Sequence, residues 1–149
     1  MIRDIVKDEK ELSKVCRKFL NTKEDKEELE KIIKDLIDTG SHYRDDEKIG
    51  CVGLAANQIG YDRRVIIVNK KDGEWAVFVN PVIKVKSRSM HESEEGCLSL
   101  EGIRTVMRHD AIEILYRDQE NFHIRSLTAT GGTAVILQHE IDHLNGVLI

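Results

Sequence analysis

Two apolar stripes at helical spacing open the chain. Leu12, Val15, Cys16, Phe19 and Leu20 recur between charged residues, with Asn21-Thr22 as a stop and restart, which predicts a core-facing amphipathic helix. Over residues 24–39, Leu29, Ile32, Ile33, Leu36 and Ile37 follow the same period, and Gly40 stands where a helix ends in a left-handed residue. This second stripe spans barely two heptads, so it reads as a helix packed on its own domain, not as a coiled-coil seam. Residues 41–49 are polar and read as a surface loop. The run Gly50 to Gly60 is built of small residues with few polar groups, and predicts a crossing where another backbone comes close. Strands are expected over 64–69 and 75–85, joined by Lys71-Asp72-Gly73, with Pro81 putting the second at an edge or a bulge. Residues 111–116 and 122–127 alternate as an antiparallel hairpin across Asp118-Gln119-Glu120-Asn121. The pattern over 127–145 is helical, carrying Val135, Ile136, Leu137, Ile141 and Leu144, with Thr128 or Thr130 as cap and Asn145-Gly146 as its end. The class is α+β: N-terminal helices, antiparallel β-strands and one buried C-terminal helix.

Composition narrows the partners. A length of 149 residues suits a single domain, 1–149, with a real core. Charged residues make up 34% of the chain, but the net charge is −4, so there is no basic excess to hold a phosphate backbone and nucleic acid is not expected as the main partner. No apolar run reaches membrane-spanning length, and Met1-Ile2-Arg3-Asp4 carries no apolar signal core, so the chain reads as an intact cytosolic protein. Cys16, Cys51 and Cys97, odd in number and far apart, fit a reducing compartment.

The chemistry sits in His139-Glu140-Ile141-Asp142-His143. On a helix, two histidines four apart share a face and can hold one metal ion, while the glutamate between them is placed to work on water carried by that metal. A site that keeps one position for water needs a third protein ligand. The candidates are the three cysteines, His91, His109, His123 and the carboxylates. Cys97 is preferred, because Gly96-Cys97-Leu98-Ser99 is a turn that offers the thiol and the next backbone N–H together, whereas Cys16 lies on a helical stripe.

Three separated stretches then resemble one family. Gly53-Leu54-Ala55-Ala56-Asn57-Gln58, Glu95-Gly96-Cys97-Leu98-Ser99 and Gln138-His139-Glu140-Ile141-Asp142-His143 are similar, in order and rough spacing, to the three signature motifs of peptide deformylases. The resemblance implies a cytoplasmic, monomeric, metal-dependent amidase. Its substrate would be the formyl group on the N-terminal formylmethionine of nascent peptides, and formate its product. One ferrous ion per chain is implied, with zinc, nickel or cobalt as substitutes, held by Cys97, His139 and His143. Glu140 falls on the general acid/base, and the Gln58 side-chain amide and the Leu98 N–H fall on the donors to the tetrahedral oxyanion. The peptide would pair as an added strand along Val52-Gly53, its methionine lodged against Val135 and Ile136, with Arg104 toward its downstream backbone. Glu95 and Asp142 would orient the ligating imidazoles or a nearby cation, or else form simple salt bridges.

Two positions depart from the family pattern: Cys51 stands where glycine is common, and Glu101 where proline is common. The chain also ends shortly after Gly146, like the short forms of bacteriophages, which would put it in a host cytoplasm; contact with the ribosome would then be transient at most. Two alternatives stay open. One is a non-catalytic, metal-containing module that binds formyl-peptides. The other is a zincin-type peptidase, whose third ligand would lie downstream of His143.

Overall fold

Strand β2 (Val65–Asn69) shows why the molecule is layered as it is. Its Val-Ile-Ile-Val run is apolar on both faces, so both faces must be covered. Ile66 and Val68 turn to one core, and Val65 and Ile67 to the other. The sheet built around it is antiparallel, with strands in the order β1 (Gly53–Ala55), β2, β3 (Trp75–Lys86), β6 (Ala111–Arg117) and β7 (Ile124–Thr130). Helix α2 (Lys23–Arg44) packs Leu29, Ile32 and Leu36 onto one face, while α3 (Gly131–Leu144) packs Leu137, Ile141 and Leu144 onto the other. A second, two-stranded sheet pairs β4 (Met90–Glu95) with β5 (Arg104–His109). The computed structural model describes residues 1–46 and 50–149, and among them no helix is long and apolar enough to cross a membrane. The expected α+β class, with helices before an antiparallel sheet and a buried helix near the end, is the one found.

Local departures from the pattern have physical causes. The first stripe yields only α1 (Glu9–Leu12), capped by the Asp8 side chain on Lys10 N. Beyond it the backbone groups are taken by distant elements. Cys16 N donates to Leu144 O at 2.9 Å, Phe19 N to Asn80 Oδ1 at 2.9 Å, and Arg17 O accepts from Arg64 N at 2.9 Å. The segment is therefore extended, and Val15 and Leu20 are left 66% and 63% exposed.

Helix α2, capped by Thr22, does not stop at Gly40 but runs on to Arg44, so part of the expected loop is helix. Residues 47–49 of that loop lie outside the described residues. Gly40 is there for closeness: a Cβ would stand 2.9 Å from Ile67 Cδ1 and 3.1 Å from the Trp75 ring.

The turn at Gly73 (φ +88°) closes the β2–β3 hairpin as expected. Pro81 marks a bulge, not an edge, because β3 lies inside the sheet and its register with β6 shifts between Val79 and Val82. The hairpin of β6 and β7 forms, but β7 starts at Ile124, because Phe122 closes the turn at φ +62°. Residues 127–130 belong to β7 and not to the last helix. Gly131 (φ +60°) makes the corner, and Thr130 occupies the cap position without a side-chain bond.

Candidate metal centre and active-site cleft

On α3 the four-residue spacing does what its period requires. His139 and His143 lie one turn apart, edge to face, with 3.2 Å between their Nε2 atoms. Both are buried, His143 completely. Two ring nitrogens this close cannot both carry a proton without a clash, so at least one lone pair faces the gap between them. Cys97 comes up from the turn after β4, and its Sγ and the two imidazoles present ligand atoms that all lie within 4.8 Å of one another. Thiolate and imidazole are borderline-soft donors suited to a first-row divalent cation.

The titration of these groups fits such an ion. Burial pushes the Cys97 thiol up, but a hydrogen bond to His139 and the N–H groups of Leu100 and Ser99 outweigh it and bring it below its ordinary value. Burial pulls His139 down, yet its bond to Cys97 and the nearby carboxylates of Glu140 and Glu95 hold it up at about 9. Burial, with the charges of His139 and Arg108, drives His143 down to about 3, so it is a neutral imidazole. The Cys97 thiolate is balanced by a charged His139 beside a neutral His143, and a divalent cation would take the place of that proton among the three donors.

Behind the donors stands a charged frame. His139 Nδ1 meets Glu95 Oε1 at 2.7 Å, which leaves Nε2 to the gap. Arg108, from β5, grips Glu95 with Nε at 2.8 Å and Nη2 at 2.7 Å, and reaches Asp142 with Nη1 at 2.6 Å. Burial alone would raise the Glu95 carboxyl, but Arg108, His139 and Ser93 hold it down at about 2. The backbone O of His143 accepts from Asn57 Nδ2 at 2.7 Å. Glu95 and Asp142 were expected to orient the imidazoles or a nearby cation: Glu95 meets His139, and Asp142 meets the cation Arg108. Arg108 and Asn57 were not given these roles: Asn57 lies inside the first signature stretch with no task assigned to it, and nothing in the sequence marks Arg108.

Glu140 lies 4% exposed beside these ligands, with Oε1 meeting no partner among the described residues. Burial, reinforced by Glu95 and opposed by His139 and Arg108, lifts its carboxyl to about 7. It is thus poised to gain or lose a proton near neutrality. Gly53 makes room for it, since a Cβ there would stand 2.7 Å from Glu140 Oε2.

The centre opens into a cleft of about 530 Å³ lined by Val52, Gly53, Gln58, Leu98, Val135 and Ile136, together with Cys97, His139 and Glu140. Of the residues expected at the site, His143 lies deeper and Arg104 lies outside. Arg104 pairs with Glu95 across the small sheet and donates to the carbonyl of Ile149. Cys51, one of the two departures, lines the cleft wall, its thiol raised to about 12 by burial and by Glu140.

The chain is similar to known proteins along nearly its whole length. The family pattern described as polypeptide deformylase matches residues 2–149. A peptide deformylase of Clostridium beijerinckii is 42% identical over 119 residues, which are 79% of this chain and 82% of that protein. Peptide deformylase 1 of a Nostoc species is 36% identical over 127 residues, and there the chain spans 64% of the relative's length. Among solved structures, a Met-Ala-Ser-bound class I type b peptide deformylase from Acinetobacter baumannii superposes with a TM-score of 0.84 at 28% identity, covering 99% of this chain and 97% of that one. The enzyme of the Vibrio parahaemolyticus bacteriophage VP16T, solved with actinonin, gives 0.82 at 30% identity over 98% of this chain and 99% of that one.

Proposed function

This chain belongs to the polypeptide deformylase family and has a deformylase function; from that premise we propose that it is a metal-dependent amidase that removes the formyl group from N-terminal formylmethionine of nascent peptides and releases formate. One observation carries the reading: a thiol and two imidazole nitrogens within 4.8 Å of one another, beside a buried carboxyl with an unpartnered oxygen, at the base of a peptide-sized cleft. Residues 1–149 act as one catalytic domain, a cytoplasmic monomer that meets nascent chains with at most a transient ribosome contact.

Cys97 Sγ, His139 Nε2 and His143 Nε2 would hold one divalent ion, ferrous iron in the cell with zinc, nickel or cobalt as substitutes. When bound, the ion supplies Lewis acidity, making water a stronger nucleophile near neutral pH and polarising the formyl carbonyl. Glu140 takes the proton of the attacking water on its carboxylate and returns it to the departing amine, a cycle that suits a pKa of about 7. The Gln58 Nε2 and the Leu98 N–H donate to the oxygen that gains charge as the tetrahedral species forms. The peptide lies extended along Val52-Gly53, with its methionine against Val135 and Ile136. Arg104, turned to Ile149, is assigned no substrate contact. A zincin-type peptidase would take its third ligand beyond His143, whereas the third donor gathered here is Cys97, upstream.

The test is formate release from formyl-Met-Ala-Ser by anaerobically iron-loaded protein, set beside Glu140→Ala. Removing the proton carrier should cut kcat by about 10³-fold. Equal rates would end the mechanism, and cleavage of an internal peptide bond would favour the peptidase. Elemental analysis should find one ion per chain and its loss in Cys97→Ser.

A further inference from the structure

The two oxyanion donors sit on different elements. Gln58 belongs to the 3-10 turn after β1 (Ala56–Ile59), and Leu98 to the turn after β4. For both to meet one oxygen, something must fix the distance between these elements. The Gln58 side chain is held at both ends. Its Oε1 accepts from Ala55 N at 3.0 Å, which settles which way round the amide lies, and its Nε2 donates to Ser99 Oγ at 3.3 Å. All of this is buried, Gln58 to 2% exposure and Ser99 to 3%. A primary amide has two Nε2 hydrogens, so one is engaged by Ser99 and the other remains for the cleft that Gln58 lines.

Held only at Oε1, the amide plane could swing about that one anchor; held at both ends it cannot. Ser99 is also the residue after Leu98 and two after Cys97.

Resting on the deformylase reading, we propose that Ser99 is a positioning residue for catalysis: its hydroxyl clasps the Gln58 amide and locks the side-chain donor in register with the Leu98 N–H and the Cys97 ligand carried by the same turn. Ser99 touches no reacting atom. It acts through Gln58, and its effect belongs to the step in which the oxyanion exists.

The experiment is a double-mutant cycle of Ser99→Ala and Gln58→Ala in iron-loaded protein, reading formate release from formyl-Met-Ala-Ser together with metal content. Loosening a donor by a fraction of an ångström should lower kcat about tenfold in Ser99→Ala. KM should stay within about twofold, because the substrate's ground state does not use the oxyanion contact. In the Gln58→Ala background the same change should shift kcat by less than about twofold, because there is no amide left to hold. Wild-type kcat in Ser99→Ala overturns the proposal, as does an undiminished loss in the Gln58→Ala background. So does a loss that vanishes when rates are expressed per bound ion, which would make Ser99 a support of the metal loop alone. If the wild type itself releases no formate, the deformylase reading falls and this proposal with it. An active wild type beside an unimpaired Ser99→Ala sinks the proposal alone.

Discussion

Helices α2 and α3 cover opposite faces of one sheet, yet they are stabilised by different means. The buried side of α2 is mostly aliphatic, with Leu29, Ile32, Ile33 and Leu36 against the sheet and Thr22 capping its start. The buried side of α3 alternates Leu137, Ile141 and Leu144 with Gln138, His139, Glu140 and His143. Apolar burial needs only a matching surface, but each polar group taken from water needs a partner. The protein provides several. Gln138 spans to the backbone of His109, Asn57 caps the His143 carbonyl, and the Glu95–Arg108–Asp142 chain braces His139. Among the described residues, buried polar atoms without a partner include Glu140 Oε1 and His143 Nδ1 on α3, and none on α2. The face that gives up the most local stability is the one that carries the chemistry.

The sharpest way to test this contrast is Glu140→Gln. It removes the proposed proton carrier while keeping shape, so kcat should fall by about 10³-fold or more, some 4 kcal/mol of barrier. Folding stability should not fall with it. The substitution replaces a buried carboxyl, lifted to about 7 and unpartnered at Oε1, by a neutral amide, so the thermal midpoint of metal-stripped protein at pH 8 should equal or exceed that of the wild type. A midpoint several degrees lower would mean that Glu140 is held by the fold as firmly as any α2 residue.

Arg108→Met attacks the frame instead of the reacting group. It strips the counter-charge from Glu95 and Asp142, both within 2.8 Å of the guanidinium, and removing one partner of a buried ion network costs about 3–5 kcal/mol. The pH dependence gives a second signature. Burial pushes Glu95 up, but Arg108 and His139 outweigh it and hold the carboxyl at about 2 against an ordinary 4.5. The stabilisation from this depressed pKa is therefore complete above about 4.5, and it is lost as the pH falls toward 2. Because the variant has less of this stabilisation to lose, the gap between wild-type and variant thermal midpoints should narrow from pH 7 to pH 3 in metal-stripped protein. A gap of constant width would assign the cost to packing alone.

Leu36→Ala is the mirror case on the other helix. Leu36 is fully buried, and its truncation should cost about 3 kcal/mol of stability, read as a lower midpoint in urea. At temperatures where the variant is folded, kcat on formyl-Met-Ala-Ser should be unchanged. A fall in kcat would show that the α2 core sets the geometry of the α3 site across the sheet.

The same contrast explains what could be read before any coordinates. The α2 stripe and the β2 run were legible because burial by apolar area leaves a periodic trace. The candidate metal donors were legible because their chemistry restricts residue type: two histidines one turn apart, and a cysteine beside a glycine. Arg108 was not legible. Its partners lie 13 and 34 residues away, and in sequence it is one more charge in a polar strand. Strands β4 and β5 went unseen for a related reason, since Met90–Glu95 is largely exposed and charged and leaves no apolar alternation. Residues 13–20 misled in the opposite sense. Their apolar spacing happens to match a helix, while α3, the segment just before β2 and Asn80 compete successfully for their backbone groups.

Gly40 misled because two different demands select the same residue. A glycine at a helix end supplies a left-handed conformation, and a glycine inside a helix supplies nearness. The two roles make opposite predictions for Gly40→Ala. On a free helix surface alanine is better than glycine by about 1 kcal/mol. Here the added methyl would stand 2.9 Å from Ile67 Cδ1 and 3.1 Å from the Trp75 ring. The isoleucine tip can move a little. The indole is less free, because its Nε1 donates to Ser41 Oγ at 3.0 Å and the Arg44 guanidinium lies over its ring. Overpacking of this kind costs about 1–3 kcal/mol, which exceeds the propensity gain. Gly40→Ala should therefore be destabilised by about 1 kcal/mol in urea unfolding, and Gly40→Ala combined with Trp75→Phe, which shortens the ring, should recover most of it. A stabilised Gly40→Ala would show that α2 can shift off the sheet freely, and that its seat against β2 and β3 is looser than the site helix on the far side.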